Sequence, residues 1–540
     1  MKIQHHINQL DSYILNNLNT TKESLKEWES GHYFMDSRTV TMFWDEIDKA
    51  PSVKIIGDYD TDGICASYIM AYSIGRVYKQ KPIKIRLPRR FSEGYGFNQT
   101  IVDEIKEKDA PGTLIITVDN GITAGPLLED LERSGFPVIV TDHHEFNRKI
   151  PQVTMVLNPK VKGCNEAFDG DYWCGAGVAY KLCEQMLDNE SQKLISIFAG
   201  IATIGDIMPL VHGNWGLVRN MIQIFQKEEA PPSLTCLINM LEQNPKYADT
   251  ETFSYYLCPA FNASGRLYDN GASQILSYLF KPTVEKAKEI IKINNERKKI
   301  RDDQTAEVIQ AIYDRHLENA CPIWIDLPNL HEGIIGIIAS EIVKKFNVPA
   351  IVLTEKENGI LKGSARSIGD IHILNYLNNT GADYLKIGGH AGAAGLSITR
   401  EEYSIAKMCQ ISKPQIEKST VFSISHDEIP DICEELKTFI PFGEGNPNPI
   451  LTTVVDMNTD NVKMIGKDQN HLMIKDQSDS GPYKITHFYH LPNSLVNKNK
   501  FILEGTISES NFNDEEIPTF DAKEIREYDL NEHELDREDI

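Results

Sequence analysis

Asp58, Asp60 and Asp62, in the run DYDTDG, are three carboxylates spaced two residues apart. Alternate spacing in a loop turns several oxygens to one side, which a hard divalent cation requires. D-x-D-x-D-G also opens an EF-hand loop, but the twelfth position, where a bidentate Glu would close that site, is Ile69. A strand-like VKIIG also precedes the motif where an EF-hand has a helix. An Asp-rich turn capping the following helix remains the alternative for this motif alone. Further on, Asp119-Asn120-Gly121 follows LIITV, Asp142-His143-His144-Glu145 follows VIVT, and Asp206 follows SIFAGIATIG. Singly, each reads as a cap or a solvated loop acid. Jointly, they offer carboxylates and imidazoles suited to divalent ions that activate water.

The segments that must position these groups alternate short apolar runs with helical patterns from Val53 onward: VKIIG, GICASYIMAYSIGRVY, IKIRL, LIITV, LLEDLERSG, VIVT. That alternation predicts right-handed βαβ units and a parallel sheet, with the acids at the C-terminal strand ends where open α/β sheets bind ligands. Helical stretches follow through Val178 to Leu187 and Ser191 to Ile204, and Ala230-Pro231-Pro232 breaks the pattern. The charged stretch from Pro282 to Asn319 reads as a solvated connecting helix, in preference to a DNA-contacting role for Arg297, Lys298, Lys299 and Arg301. A second α/β unit follows, and after Pro449 come five strand-like pieces suggesting a small barrel such as an OB-fold. The expected class is α/β: a parallel-sheet domain with an N-terminal helical extension (1–230), a helical connector (231–319), a smaller α/β domain (320–415), a β-barrel (416–528) and an acidic tail (529–540).

No run approaches the roughly 20 apolar residues of a membrane span, and the start MKIQHHINQLDSY lacks the apolar core of a signal peptide. The expected setting is cytoplasmic. Nine cysteines, scattered without a CxxC pair, read as reduced thiols rather than a disulfide framework or zinc knuckle. The net charge of −23 weighs against a nucleic-acid partner. However, Asp514 to Ile540 carries 12 acidic residues against 3 basic, leaving about −14 elsewhere, part of it in the carboxylate cluster whose sign bound cations would invert.

DYDTDG, TVDNG, TDHH and ATIGDIMPL resemble, in order and spacing, the four metal-site motifs of the DHH phosphoesterases. RRFSEGYG, NASGRL, HEGIIGIIASEIV, GSARS, GGHAGAAG and PFGEGNPNP extend the resemblance to the RecJ-like exonucleases, from about residue 50 to residue 510. It implies a DHH domain, a DHH-associated domain and an OB-fold, with two divalent ions, manganese or magnesium. It also implies Asp119 as the bridge, Asp60 on one ion, and Asp62, His143 and Asp206 on the other. Asp58 and Asp142 become outer ligands or groups orienting the imidazoles, and His144 a group polarising the scissile phosphate. One departure stands out: many relatives carry a histidine four residues before the second aspartate of the first motif, where this chain has Ile56.

Gly388-Gly389-His390, with Gly392 and Gly395, reads as a loop admitting a phosphate to backbone amides beside His390, with close helix packing as the alternative. By the resemblance, this segment faces the metal site across a cleft. By the resemblance, Arg90, Ser364 and Arg366 match a pocket for a terminal 5′ phosphate, for which arginine is well fitted, with a surface arginine as the alternative for Arg90; Arg266 is a further substrate-binding candidate. The implied activity is 5′-to-3′ hydrolysis of single-stranded DNA to mononucleotides in recombination and repair, by a monomer working with a helicase or single-strand-binding protein and no membrane. An oligoribonuclease or nucleotide phosphatase of the same superfamily, or a non-catalytic nucleic-acid-binding scaffold, are the rivals. In the barrel, Phe488, Tyr489 and His490 could stack on bases.

Overall fold

A computed structural model describes the chain except residues 1, 31–34, 95, 147–148, 357–358, 416–420, 457–461, 466–470, 488–498, 513–514 and 529–540. The acidic tail and Phe488, Tyr489 and His490 therefore lie outside the described residues.

The first sheet contains β1 (Val53–Ile56), β2 (Ile83–Arg86), β3 (Leu114–Val118), β4 (Val138–Thr141) and β5 (Met155–Leu157). All pairings are parallel, in the order β2-β1-β3-β4-β5. β1, β3 and β4 are buried along their whole length, as largely apolar strands covered on both faces should be, with the one buried cation, Lys54, paired to Asp109 (2.7 Å). The order reverses between β1 and β3, and the crevice outside the C-terminal ends at such a switch point is where doubly wound sheets bind ligands. Asp58 and Asp119 follow those two strands.

The second sheet holds β6 (Ile323–Asp326), β7 (Ala350–Glu355), β8 (Ile360–Arg366), β9 (Lys386–Gly389) and β10 (Ala393–Thr399), ordered β6-β7-β8-β10-β9. β6 and β7 are parallel and the rest antiparallel. The third is a seven-stranded sheet: β11 (Val421–Ser423), β12 (Ile450–Asp456), β13 (Val462–Ile465), β14 (His471–Ser478), β15 (Gly481–His487), β16 (Lys500–Phe512) and β17 (Glu515–Glu527). The five expected pieces are β12 to β16. β17 escaped notice because its charges, in EEIPTFDAKEIRE, resemble the tail that follows.

Two boundaries differ from the expected ones. The helices Lys2–Asn17 and Lys22–Glu29 do more than extend the first domain: Glu29 accepts from Arg219 Nε (3.0 Å), while Leu10, Ile14, Leu25 and Trp28 pack into the core of the C-terminal sheet with Phe439, Leu451 and Leu503. Trp215 joins that core, and its indole Nε1 donates to the Phe439 carbonyl (3.0 Å). The stretch 231–319 is likewise more than a connector. Leu234, Phe261, Ile275 and Ile290 share the core of the first sheet, and only the later part of the Val284–Asp314 helix, with Val308 and Ile312, serves the second. Both errors have one cause: an amphipathic pattern shows that a helix buries a face, not which sheet it covers.

All nine cysteines are free thiols. Among the described residues no helix is long and apolar enough to cross a membrane.

Candidate metal centre and anion recess

Asp60 caps the Thr61–Val77 helix, its Oδ1 accepting from Gly63 N (3.1 Å), so the capping interpretation and the clustering of acids are both true of this residue. Asp62, in the first turn of the same helix, accepts from the amides of Gly175 and Ala176 (2.7 Å each) at the start of the Gly175–Cys183 helix. That helix end stabilises the buried carboxylate. Asp119 follows β3 in the left-handed region, φ 60°, its N donating to the Thr141 carbonyl (3.0 Å). Asp206 caps the C-terminus of the Asn189–Gly205 helix.

These residues converge. In the groups Asp58/Asp60/Asp119, Asp62/His143/Asp206 and Asp119/His143/His144, one ligating atom of each residue lies within 4.8 Å of the other two. Asp119 is common to two groups, and His143 Nε2 lies 3.1 Å from Asp119 Oδ1 and 3.6 Å from oxygens of Asp62 and Asp206. The expected convergence of four segments is therefore present. Asp58 stands in ligand range of Asp60 and Asp119, while Asp142 belongs to none of the groups. Asp142 is engaged otherwise: Oδ2 accepts from Ile122 N (2.8 Å), and Oδ1 from His143 N, His144 N and His144 Nδ1 (2.7, 3.1 and 2.8 Å). These contacts tie Asp142 to both histidine segments. Ile56 is wholly buried in the apolar layer beside Phe97 and Ile115.

The electrostatics show uncompensated negative charge. Burial, then Asp60, pushes Asp58 up to about 8. Burial, then Asp62, Asp60, Asp58 and Asp206, pushes Asp119 far above the carboxylate range, and burial with Asp62 and Asp60 does the same to Asp206. His143 is pushed down to about 4 by burial against the pull of Asp62, so its imidazole is neutral and able to ligate. His144, although desolvated, is lifted to about 9 chiefly by Asp142. Asp119 Oδ1 is buried and, among the described residues, has no hydrogen-bond partner. Crowded carboxylates with an orphaned buried oxygen and a neutral imidazole fit hard or borderline divalent cations.

The arginine positions assemble a second feature. Arg90 stacks over the Tyr59 ring at 4.8 Å, Arg266 Nη1 reaches the Gly333 carbonyl (3.4 Å), and Arg366 Nη1 donates to Ser364 Oγ (3.0 Å) and the Ala365 carbonyl (2.8 Å). A Cβ at Gly336 would lie 2.9 Å from Arg366 Nη2 and 3.0 Å from Ser364 Oγ, so the Ile335–Phe346 helix approaches them closely because that position is glycine. Arg266 is pushed down to about 9 by burial and by repulsion from Arg90, Arg297 and Arg366. A guanidinium does not deprotonate in a protein, so this pressure marks positive charge suited to an anion. Among the described residues none of Arg90, Arg266, Arg297 and Arg366 makes an ion pair.

GGHAGAAG is a hairpin rather than a loop: Gly388 pairs with Gly395 and Gly389 with Ala394 across β9 and β10. A Cβ at Gly388, Gly392 or Gly395 would meet nothing within 4 Å, so helix packing does not explain these glycines. The exposed backbone leaves room for a ligand. His390 occupies the turn, its N donating to the Ala393 carbonyl (2.8 Å), and is pushed down by desolvation and then by His144 and Lys160.

Sequence reasoning passed over Gly175, Ala176 and Asn262, and took Arg297 as solvated. Gly175 and Ala176 fix Asp62; the only signal was a Gly-Ala-Gly run beginning a helix. Asn262, in NASGRL, accepts from Thr61 N (2.8 Å) and Thr61 Oγ1 (3.1 Å), tying the first acidic motif to the helix that carries Arg266. Arg297, expected in solvent, is buried.

A parallel sheet with acids at its switch point, a mixed second sheet bearing Arg366 and a C-terminal β domain are the arrangement expected from the resemblance, and family models match each part. The DHH family N-terminal domain matches residues 52–205, the DHHA1 domain 323–414 and the RecJ OB domain 423–524. The chain thus carries matches to all three domains that the resemblance implied. The single-stranded-DNA-specific exonuclease RecJ of Bacillus subtilis is 29% identical over 495 residues, 88% of this chain and 62% of the relative. RecJ of Escherichia coli is 28% identical over 392 residues, 68% and 67%. The chain thus spans less than two thirds of the Bacillus relative's length. The crystal structure of RecJ with Mn2+ from Thermus thermophilus shares the fold: TM-score 0.72 at 22% identity, covering 94% of this chain and 72% of that one.

Proposed function

We propose that this chain is a metal-dependent exonuclease that removes nucleotides from the 5′ end of single-stranded DNA. The observation that carries this is the sharing of Asp119 between two ligand groups, beside arginines without carboxylate partners. The names of the relatives, single-stranded-DNA-specific exonucleases, and the manganese and magnesium complexes of the Thermus protein support it.

Asp58 and Asp60 would hold one divalent ion, Asp62, His143 and Asp206 a second, with Asp119 bridging. Manganese or magnesium there would supply an activated water and neutralise charge on the scissile phosphate. Gly175 and Ala176 keep Asp62 in place. Asp142 holds His144 protonated, so that it can donate to a phosphate oxygen as charge builds there. His390 approaches from the second sheet beside the glycine backbone that the strand would pass. Arg90, Arg266, Arg366 and Ser364 would grip the terminal phosphate and set polarity, since only an end carrying it would place the adjacent diester at the ions. In this role the protein would act in the cytoplasm, in recombination and repair, as a monomer on strands exposed by a helicase or covered by a single-strand-binding protein.

End-labelled strands incubated with the protein and manganese test this. The proposal expects mononucleotides released from the 5′ end, faster from a phosphorylated than from a hydroxyl terminus. Exclusive turnover of di- and trinucleotide RNA would move the protein to the oligoribonucleases, and no cleavage of any substrate would support a scaffold.

A further inference from the structure

Arg297 lies within the Val284–Asp314 helix and is only 5% exposed. Its Nε and Nη2 donate to Asn294 Oδ1 (3.2 and 3.0 Å), and among the described residues it has no other hydrogen bond and no ion pair. Asn294 is itself fully buried, and among the described residues its Nδ2 has no hydrogen-bond partner. Burying a charge without an opposite charge is unfavourable, and buried arginines are rarely left so. If this helix only connected domains, an apolar residue would serve the position better. The Cys258–Leu267 helix packs against it, and Arg266 from that helix feels the charge of Arg297 together with those of Arg90 and Arg366.

We infer that Arg297, oriented by Asn294, is a fourth guanidinium of the anion recess and contacts the terminal phosphate of the strand from the connecting-helix side. The inference rests on the proposed function and adds a residue to its substrate site. The charge balance favours a chain end over an internal linkage. A phosphodiester carries one negative charge, whereas a terminal phosphomonoester carries about −1.5 to −2 at neutral pH. Four guanidiniums, none of them in an ion pair among the described residues although Asp302 partly offsets Arg297, suit the second.

Two substitutions test it. Arg297→Met removes the charge with similar bulk. Asn294→Asp is nearly isosteric and gives Arg297 a carboxylate partner, so it competes with the phosphate without emptying the site. Steady-state kcat and KM are measured with manganese on strands bearing a 5′ phosphate or a 5′ hydroxyl, alongside the melting temperature. For the phosphorylated strand, R297M is expected to raise KM about 10- to 100-fold, the range for losing a charged hydrogen bond. Its kcat and its KM for the hydroxyl strand should stay near those of the parent. N294D should shift KM in the same direction, with an unchanged or higher melting temperature, and R297K should recover part of the loss. The inference is overturned if either R297M or N294D leaves the preference for the phosphorylated end intact, or weakens both substrates equally. If the parent protein shows no such preference, the proposed end recognition itself fails, a result legible without either variant.

Discussion

Gly175→Ala probes how tightly the centre is packed. A Cβ there would lie 2.4 Å from Asp119 Cβ and 2.7 Å from Asp119 Oδ1. Carbon atoms pack comfortably at about 3.5 to 4.0 Å, so roughly 1 Å of movement is needed. Nothing nearby can yield without consequence. If Asp119 moves, the shared ligand is displaced; if the Gly175–Cys183 helix moves, its first amides retreat from Asp62. A misplacement of about 1 Å in a reacting constellation costs on the order of 100-fold in rate. Overpacking of this size costs about 1 to 3 kcal/mol of stability, partly offset because alanine favours a helix over glycine. The measurement is single-turnover hydrolysis of a 5′-phosphorylated strand at saturating manganese, with circular dichroism to confirm folding. A folded G175A protein slowed about 100-fold fits the geometry. A rate equal to the parent's would refute the claim that this close approach constrains Asp119.

Three further outcomes are expected. In chelator-treated protein, Asp58, with its pKa near 8, and His144, near 9, keep protons that the unfolded chain, with ordinary values of 3.8 and 6.5, releases. Stability should therefore fall as pH rises from 6.5 to 8. Asp58 alone accounts for up to about 2 kcal/mol over that window, and His143, shifted the opposite way, offsets only about 0.4 kcal/mol of the fall above pH 6.5. Calorimetry should show the melting temperature dropping and manganese restoring it; a flat profile contradicts the shifts. Asp142→Asn should return the His144 pKa toward 6.5, read by NMR titration of the imidazole; a value still near 9 would mean that Asp142 does not hold the proton. Ile14→Ala should cost about 2 to 4 kcal/mol and speed hydrogen exchange in β12 and β16; acceleration confined to the first sheet would contradict the assignment of the N-terminal helices.

The parallel sheet and its acids were legible because β1, β3 and β4 are short apolar runs, each delivering a carboxylate at one edge. Strand order was not, and the division of the acids into ligand groups came from the resemblance alone, since Asp58 and Asp142 look alike in sequence and differ only in who holds them. Asp142 meets three backbone amides and an imidazole; Asp58 meets other acids. Arg297 was misjudged for a related reason: in a helix with lysines at positions 298 and 299, nothing local distinguishes a buried guanidinium from a solvated one. The N-terminal helices failed on distance, because Leu10 and Leu503 become neighbours only through the tertiary fold.

The central claim is that two divalent cations sit side by side around Asp119. Anomalous diffraction from crystals grown with manganese tests it most directly. Two peaks are expected, one within ligand distance of Asp58, Asp60 and Asp119, the other of Asp62, Asp119, His143 and Asp206. Peaks elsewhere, or none at saturating manganese, would contradict it.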